Sequence, residues 1–111
     1  MEIRFASGKF AREANDSRQL VRTYGDRRAK LIRRRLDELR AAESLADLRN
    51  LPGPRCHELR GDRKGQISVD LDHPYRLLFT PAEPVLYRTD GGLDWDRIES
   101  VVILGVEDTH D

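Results

Sequence analysis

Hydrophobic positions near the amino end of the chain change from a period of two to the period of a helix. Ile3 and Phe5 alternate with polar neighbours, which predicts a short first strand. Apolar side chains spaced over residues 10–24 predict a helical stretch, and poor helix formers at residues 15–17 predict a break or a new N-cap within it. The chain therefore begins with a strand and an interrupted helix.

The clearest helix is predicted over residues 26–42, after Gly25 ends the preceding stretch. Its buried face is predicted to carry Ala29, Ile32, Leu36 and Leu39. Its arginines are predicted to face outward or to the flanks: Arg27, Arg33, Arg34 and Arg40. Ser44 and Asp47 resemble a capping box, which predicts another short helical turn. That turn is predicted to bury Leu45, Leu48 and Leu51.

After residue 54 the apolar positions recur with a period of two, which predicts strands. The predicted strands cover residues 55–59, 67–71, 75–80 and 98–106. The second and third of them form a hairpin across a turn that contains Pro74. The last strand is apolar on both sides at its centre, which predicts a central place in the sheet.

These elements predict an α+β fold: an antiparallel sheet, mixed at its edge, with two to three N-terminal helices packed on one face. The length predicts a single domain over residues 1–111. The lone cysteine, Cys56, excludes an intrachain disulfide and favours a reducing compartment. The sequence has no recognisable signal peptide and no apolar run long enough for a membrane span, so a cytoplasmic location without membrane partners is expected.

The formal net charge of zero hides an asymmetry along the chain. Residues 1–65 carry 17 Lys+Arg against 10 Asp+Glu, whereas residues 66–111 carry 3 against 10. Such asymmetry indicates a nucleic-acid face or a charged partner. The alternative is that helices with solvated basic faces precede an acidic sheet.

Residues suited to acid–base chemistry on RNA fall in two places in the sequence. Arg76, on a predicted strand, is expected to lie close to them. The glycine-bounded turn at residues 61–65 and its approach carry His57, Arg60, Arg63 and Lys64, and the carboxyl end carries Asp108 and His110. Histidine exchanges protons near pH 7, and the arginine fork donates two hydrogen bonds to a phosphate. The alternative is that these are ordinary surface residues, since such groups occur in many domains that catalyse nothing.

Alternation along a strand limits how these groups combine. It places Cys56 and His57 on opposite faces, which argues against a cysteine–histidine dyad. It also separates Arg60 from His57, unless the turn starts at Leu59 or Arg60. The histidines lack the paired spacing of metal ligands, so neither a metal nor another cofactor is expected.

Three segments together resemble the HigB toxins of the RelE/ParE superfamily. They are the stretch from His57 to Val69, the strand that begins Tyr75-Arg76, and the ending Glu107-Asp108-Thr109-His110, and the resemblance covers about residues 27–110. It implies a RelE-like fold and the toxin of a bacterial type II toxin–antitoxin pair. The implied activity is ribosome-dependent cleavage of mRNA by metal-independent attack of the 2′-hydroxyl.

The resemblance also implies roles and partners. His57, Arg76, Asp108 and His110 correspond to catalytic residues, and Arg60, Arg63 and Lys64 to basic residues near the RNA. The implied partners are a helix-turn-helix, HigA-like antitoxin, mRNA on the ribosome, and operator DNA reached only through the antitoxin complex. Thr109 replaces the family's usual tyrosine, which weakens any stacking there. Trp95, in the long segment after Phe79, is expected to anchor its loop on the core.

Two other classes stay open at this stage. A ParE-like toxin would share the fold and act by binding DNA gyrase without cleaving RNA. The presence of His57, Asp108 and His110 argues against it, because a pure binder does not need them. A degenerate member would survive only as an antitoxin-binding module, and Thr109 together with the long loop is compatible with that reading.

Overall fold

The structure, a computed structural model, describes residues 1–109; residues 110 and 111, and with them the predicted site residue His110, lie outside the described residues. The elements, in chain order, are β1 (Glu2–Phe5), α1 (Gly8–Ala14), α2 (Ser17–Ala41), α3 (Leu45–Arg49), β2 (His57–Glu58), β3 (Ile67–Asp70), β4 (Tyr75–Pro81) and β5 (Ser100–Asp108). A short 3-10 turn, Gly61–Arg63, connects β2 to β3. The predicted α+β fold is confirmed.

The strands form one mixed sheet in the order β1-β5-β4-β3-β2. β1 runs parallel to β5, and the other neighbours are antiparallel. The central place predicted for the last strand is confirmed, because β5 lies between β1 and β4. The two-residue β2 forms the opposite edge and carries His57.

The interruption predicted in the first helical stretch is confirmed. α1 ends at Ala14, and the Asp16 carboxylate caps α2 by accepting hydrogen bonds from the backbone N–H groups of Arg18 and Gln19 at 3.0 and 3.4 Å. The stop predicted at Gly25 is a kink inside α2, since Gly25 has φ 81° and ψ 164°, which glycine adopts without steric cost. Beyond the kink, the predicted apolar face is buried and the predicted outward arginines are exposed.

The core lies between the helices and one face of the sheet, to which β3 and β4 contribute Ile67, Val69, Leu77 and Phe79. By strand alternation, the other face, here called the second face, carries the residues between them, such as Ser68 and Arg76. Among the described residues, none of the helices is long and apolar enough to span a membrane.

Three local expectations are wrong. Leu51 is 40% exposed, because α3 ends at Arg49 and the leucine lies beyond its last turn. The Ser44 side chain makes no capping hydrogen bond; the Asp47 carboxylate instead accepts one from the backbone N–H of Glu43 at 3.1 Å. The strand predicted over residues 55–59 is shortened to His57–Glu58, because Arg55 has a left-handed backbone with φ 49°.

An ion pair fixes the β3–β4 turn to α2. Arg28 donates to both carboxylate oxygens of Asp72, at 2.9 and 3.1 Å, and its guanidinium lies over the Tyr75 ring, 3.5 Å from the centroid. The hydrogen bonds from Arg28 hold the pKa of the Asp72 carboxyl below its usual range. The pair therefore stabilises the fold only while Asp72 is ionised.

Replacing Asp72 with asparagine is expected to lower the free energy of unfolding by about 1–2 kcal/mol at pH 7. Because the folded-state pKa of Asp72 lies below its unfolded value, this stabilisation is present above the unfolded pKa of about 4 and is lost as the pH falls through the folded value. Urea unfolding of both proteins between pH 7 and pH 3 measures the difference, which should narrow below about pH 4.

The matched control is Asp90→Asn, which weakens the exposed pair between Arg88 and Asp90 and should change stability little at any pH. If the free energies of unfolding of Asp72→Asn and the wild type differed by the same amount at pH 7 and at pH 3, the proposed dependence of stability on the ionisation of Asp72 would be contradicted.

Candidate functional site

The approach to β2 sets the orientation of the His57 ring. Nδ1 of His57 lies 2.9 Å from the carbonyl oxygen of Arg55. Because a carbonyl oxygen only accepts, this hydrogen bond requires Nδ1 to carry the hydrogen, which leaves a lone pair on Nε2 of the neutral ring. The edge strand therefore presents an imidazole with one nitrogen fixed and the other able to accept a proton.

A pocket of about 470 Å³ lies beside the edge strand. His57, Arg60 and Lys64 line it, together with Arg49 from α3, Glu58 from β2 and Trp95 from the segment before β5. Arg60 joins His57 because β2 ends at Glu58 and the turn starts at Arg60, whose carbonyl accepts a hydrogen bond from the N–H of Arg63 at 3.3 Å. Three of the predicted site residues thus share one cavity.

Three strands place charged residues side by side on the second face. Asp70, Arg76 and Glu107 are register partners across β3, β4 and β5. Asp70 forms ion pairs with the Nε of Arg76 at 3.4 Å and with an Nη of Arg55 at 3.3 Å. Arg76 is therefore oriented by a carboxylate while its side chain stays 27% exposed.

The pocket and this charged row are connected through Arg55. Its carbonyl holds His57, and its guanidinium pairs with Asp70, which in turn pairs with Arg76. His57 is the register partner of Ser68, on the same face as Asp70. Strand spacings put the Cα atoms of His57 and Arg76 about 12 Å apart.

A second ion pair joins the glycine-bounded turn to the end of β5. Arg63 donates two hydrogen bonds to the Glu107 carboxylate, both at 3.0 Å. These hydrogen bonds lower the pKa of Glu107, so the carboxylate remains ionised and keeps its partner. This pair therefore holds the glycine-bounded turn against the end of β5.

Asp108 occupies a different position from the other predicted residues. It pairs in register with Tyr75, whose ring is covered by Arg28 of α2. Alternation thus places Asp108 on the helix side at the end of β5, whereas Glu107 lies on the second face. The next residue, Thr109, donates its backbone N–H to the carbonyl of Pro74 at 3.4 Å. The structure does not gather Asp108 with His57.

Sequence reasoning missed the residues that support this site: Arg35, Arg49, Arg55, Asp70 and Glu58. Arg35 is buried and donates to the carbonyl oxygens of Asp70 at 2.7 Å and Gly53 at 3.3 Å. It also pairs with Glu38 at 2.8 Å. The available signal was its position next to the apolar stripe of α2, three residues after Ile32.

Cys56 is adjacent to His57 in sequence but has no features of a nucleophile. Its side chain is buried, and burial raises the pKa of the Cys56 thiol to about 12 against the opposing charge of Arg49. Within residues 1–109 no cluster of histidine, cysteine, aspartate or glutamate is arranged to hold a metal ion.

The Cys56 thiol is expected to react with an aromatic disulfide reagent at pH 8 at least about 100-fold more slowly in the folded protein than in urea, because it is buried and protonated. Absorbance of the released thiolate gives both rates, with free glutathione as the reference. Comparable rates in the folded and unfolded protein would contradict the burial of Cys56.

The fold and the site together define an α+β protein of the RelE-like class. Its helices pack on one face of a five-stranded mixed sheet, the edge strand carries a histidine, and the second face carries arginine. A family model described as the RelE-like toxin of the type II toxin–antitoxin system HigB matches residues 9–89. The chain belongs to this HigB-like toxin family.

A curated relative agrees with the family match. Toxin HigB-1 of Vibrio cholerae serotype O1 (strain ATCC 39315 / El Tor Inaba N16961) is 39% identical over 56 residues, which cover 50% of this chain and 59% of the relative. The recognition of the family from the sequence is confirmed. His57 and Arg76 lie inside the region that the family model matches, whereas Asp108 and His110 lie beyond it.

Proposed function

We propose that this protein is the toxin of a bacterial type II toxin–antitoxin pair and cleaves mRNA on the ribosome without a metal. The observation that carries the proposal is the His57 ring, which is fixed through Nδ1 and lines a pocket with Arg60 and Lys64. Proton transfer needs the free nitrogen, and the phosphate needs the cations.

In the proposed reaction a base removes the proton from the 2′-hydroxyl, and the 2′-oxygen then attacks phosphorus. The bond from phosphorus to the 5′-oxygen breaks, and an acid protonates that oxygen. The products are a 2′,3′-cyclic phosphate and a 5′-hydroxyl. His57 and His110 serve as base and acid, in either order, and Asp108 assists. Arg76 and Arg60 hold the phosphate, and Arg63 and Lys64 bind neighbouring phosphates.

The Arg63–Glu107 pair supports this assignment, because it holds the basic turn against the end of the strand that leads to Asp108 and His110. We further propose a single cytoplasmic domain over residues 1–111 that is neutralised by a cognate helix-turn-helix, HigA-like antitoxin. Operator DNA is reached only through the complex with that antitoxin.

Primer extension on a reporter mRNA after induction of the protein tests the proposal. The wild type should produce discrete, translation-dependent cuts, and the His57→Ala/His110→Ala variant should produce none. The control Arg18→Ala changes an exposed arginine on α2 and should cut like the wild type. Purified protein that is treated with EDTA, and then freed of EDTA, should cleave mRNA on purified ribosomes in magnesium buffer as fast as untreated protein.

Equal growth arrest by the wild type and the double variant, without cuts and with a loss of DNA supercoiling, would refute the nuclease proposal and favour a gyrase-binding toxin. Loss of cleavage after the protein alone has been treated with EDTA, with recovery on adding back a divalent transition metal, would refute the metal-independent reaction.

A further inference from the structure

An arginine and the single tryptophan of the chain stack at one end of the site pocket. The guanidinium carbon of Arg49 lies 4.6 Å from the centroid of the Trp95 ring. Both residues line the pocket that holds His57, and both also line an adjoining pocket of about 660 Å³ that reaches Arg88. The stacked pair therefore separates two cavities and is accessible from both.

We propose that the Arg49–Trp95 pair is a nucleobase-stacking subsite that positions the RNA beside His57. The subsite rests on the proposed function, since a base bound there places its phosphates near the cations of the pocket. Bases stack on aromatic rings and on arginine planes, so a base can extend this pair without sequence selection.

Backbone hydrogen bonds hold the pair in place. The N–H of Ala46 donates to the carbonyl of Trp95 at 3.0 Å, and the N–H of Leu45 donates to the carbonyl of Ile98 at 2.8 Å. These bonds join the segment that carries Trp95 to the start of α3, the helix that carries Arg49. A platform that is fixed before binding loses little conformational freedom when a base arrives.

Anchoring alone does not account for Trp95. Its ring is partly buried and packs against the core, as the sequence predicts for a loop anchor. Trp95 also keeps a surface on the site pocket next to four charged side chains: Arg49, Glu58, Arg60 and Lys64. Glu58 has no ion pair with any described residue and supplies a carboxylate acceptor for the amino group of a stacked base.

Because Trp95 is the only tryptophan, indole fluorescence reports directly on the subsite. The probes are an RNA trinucleotide with 2′-O-methyl riboses, which cannot be cleaved, and the same trinucleotide backbone with all three bases removed. Both carry the same phosphate charge. The base-containing probe should quench Trp95 and bind at least about tenfold more tightly than the abasic probe. Absent quenching, or equal quenching by both probes, would overturn the proposal.

Two variants separate stacking from simple charge attraction. Arg49→Met removes the stacked cation and should reduce the difference in affinity between the base-containing probe and the abasic probe. Lys64→Met removes a cation of the pocket that is outside the stack, and it should weaken both probes equally. Equal weakening of both probes by Arg49→Met would show that Arg49 contacts only phosphate and would overturn the subsite.

Cleavage mapping in cells keeps the two proposals distinguishable. If Trp95 is quenched by the base-containing probe but the wild type makes no cuts, the subsite stands and the nuclease function falls. If the wild type cuts mRNA but the base-containing and abasic probes bind equally and quench Trp95 equally, the nuclease stands and the subsite falls. Trp95→Phe should retain most cuts and Trp95→Leu should lose them, with thermal unfolding showing that both variants are folded.

Discussion

Replacing Arg76 with methionine is expected to lower the rate of mRNA cleavage by about 10²- to 10³-fold. Charge develops on the phosphate oxygens as the 2′-oxygen attacks, and a fixed guanidinium stabilises that charge more in the transition state than in the bound substrate. Methionine keeps much of the apolar stem and removes the cation. The loss should therefore appear in the rate at saturating ribosome concentration and much less in binding.

Purified ribosomes programmed with a short mRNA, and primer extension against time, provide this rate. Arg97→Met is the matched control, because Arg97 also pairs with an aspartate, Asp94, and its side chain is 70% exposed outside the proposed site. It should cleave at the wild-type rate. An unchanged rate for Arg76→Met would remove Arg76 from the catalytic group.

In the proposed reaction, Asp70 acts only through the arginines that it holds. Asp70→Asn should therefore reduce cleavage less than Arg76→Met does, because Arg76 remains present but loses its orienting charge. The double variant Asp70→Asn/Arg76→Met should cleave only slightly more slowly than Arg76→Met alone, since the two residues act as one unit. Additive losses would show that Asp70 contributes independently.

Much of the fold was predictable because local signals agreed with the tertiary structure. Apolar residues recur at every second position around Ile67 and Val69, and with the helical period through Leu36. In both segments the apolar side that this pattern predicts is the side that is buried. Asp16 marked the start of α2 and Gly25 marked its kink, since a capping carboxylate and a left-handed backbone depend on the residue itself. The exposure of Leu51 was not predictable, because it depends on where α3 stops.

The candidate site was only partly predictable, for physical reasons. His57, Arg60 and Lys64 are near one another in sequence, so a local turn brings them together. Arg49 and Trp95 meet only through the docking of the segment before β5 on α3, which no local pattern encodes. Asp108 was grouped with His57 from its chemistry and from the family resemblance, whereas the register with Tyr75 sets the side of the sheet that it occupies.

Replacing Phe79 with alanine is expected to lower the free energy of unfolding by about 3–5 kcal/mol. Phe79 is fully buried in β4, and its register partners are Ile67 of β3 and Ile103 of β5, both of which are fully buried as well. The loss combines the transfer of a large ring from water with the cavity that remains. Because domains of this size have a total stability of about 5–15 kcal/mol, the change removes much of it.

Urea unfolding followed by far-UV circular dichroism should show a midpoint lowered by roughly 2 M. Phe79→Leu should lower the free energy of unfolding much less, because leucine refills part of the space. Tyr87→Ala should change stability little, because Tyr87 is 62% exposed.

The same strand carries Phe79 on the core side and Arg76 on the second face, so unfolding of the core also separates the residues of the site. Cleavage by Phe79→Ala should therefore fall with the folded fraction and recover on cooling, whereas Arg76→Met stays inactive while folded. A loss of stability below about 1 kcal/mol would contradict the buried position of Phe79.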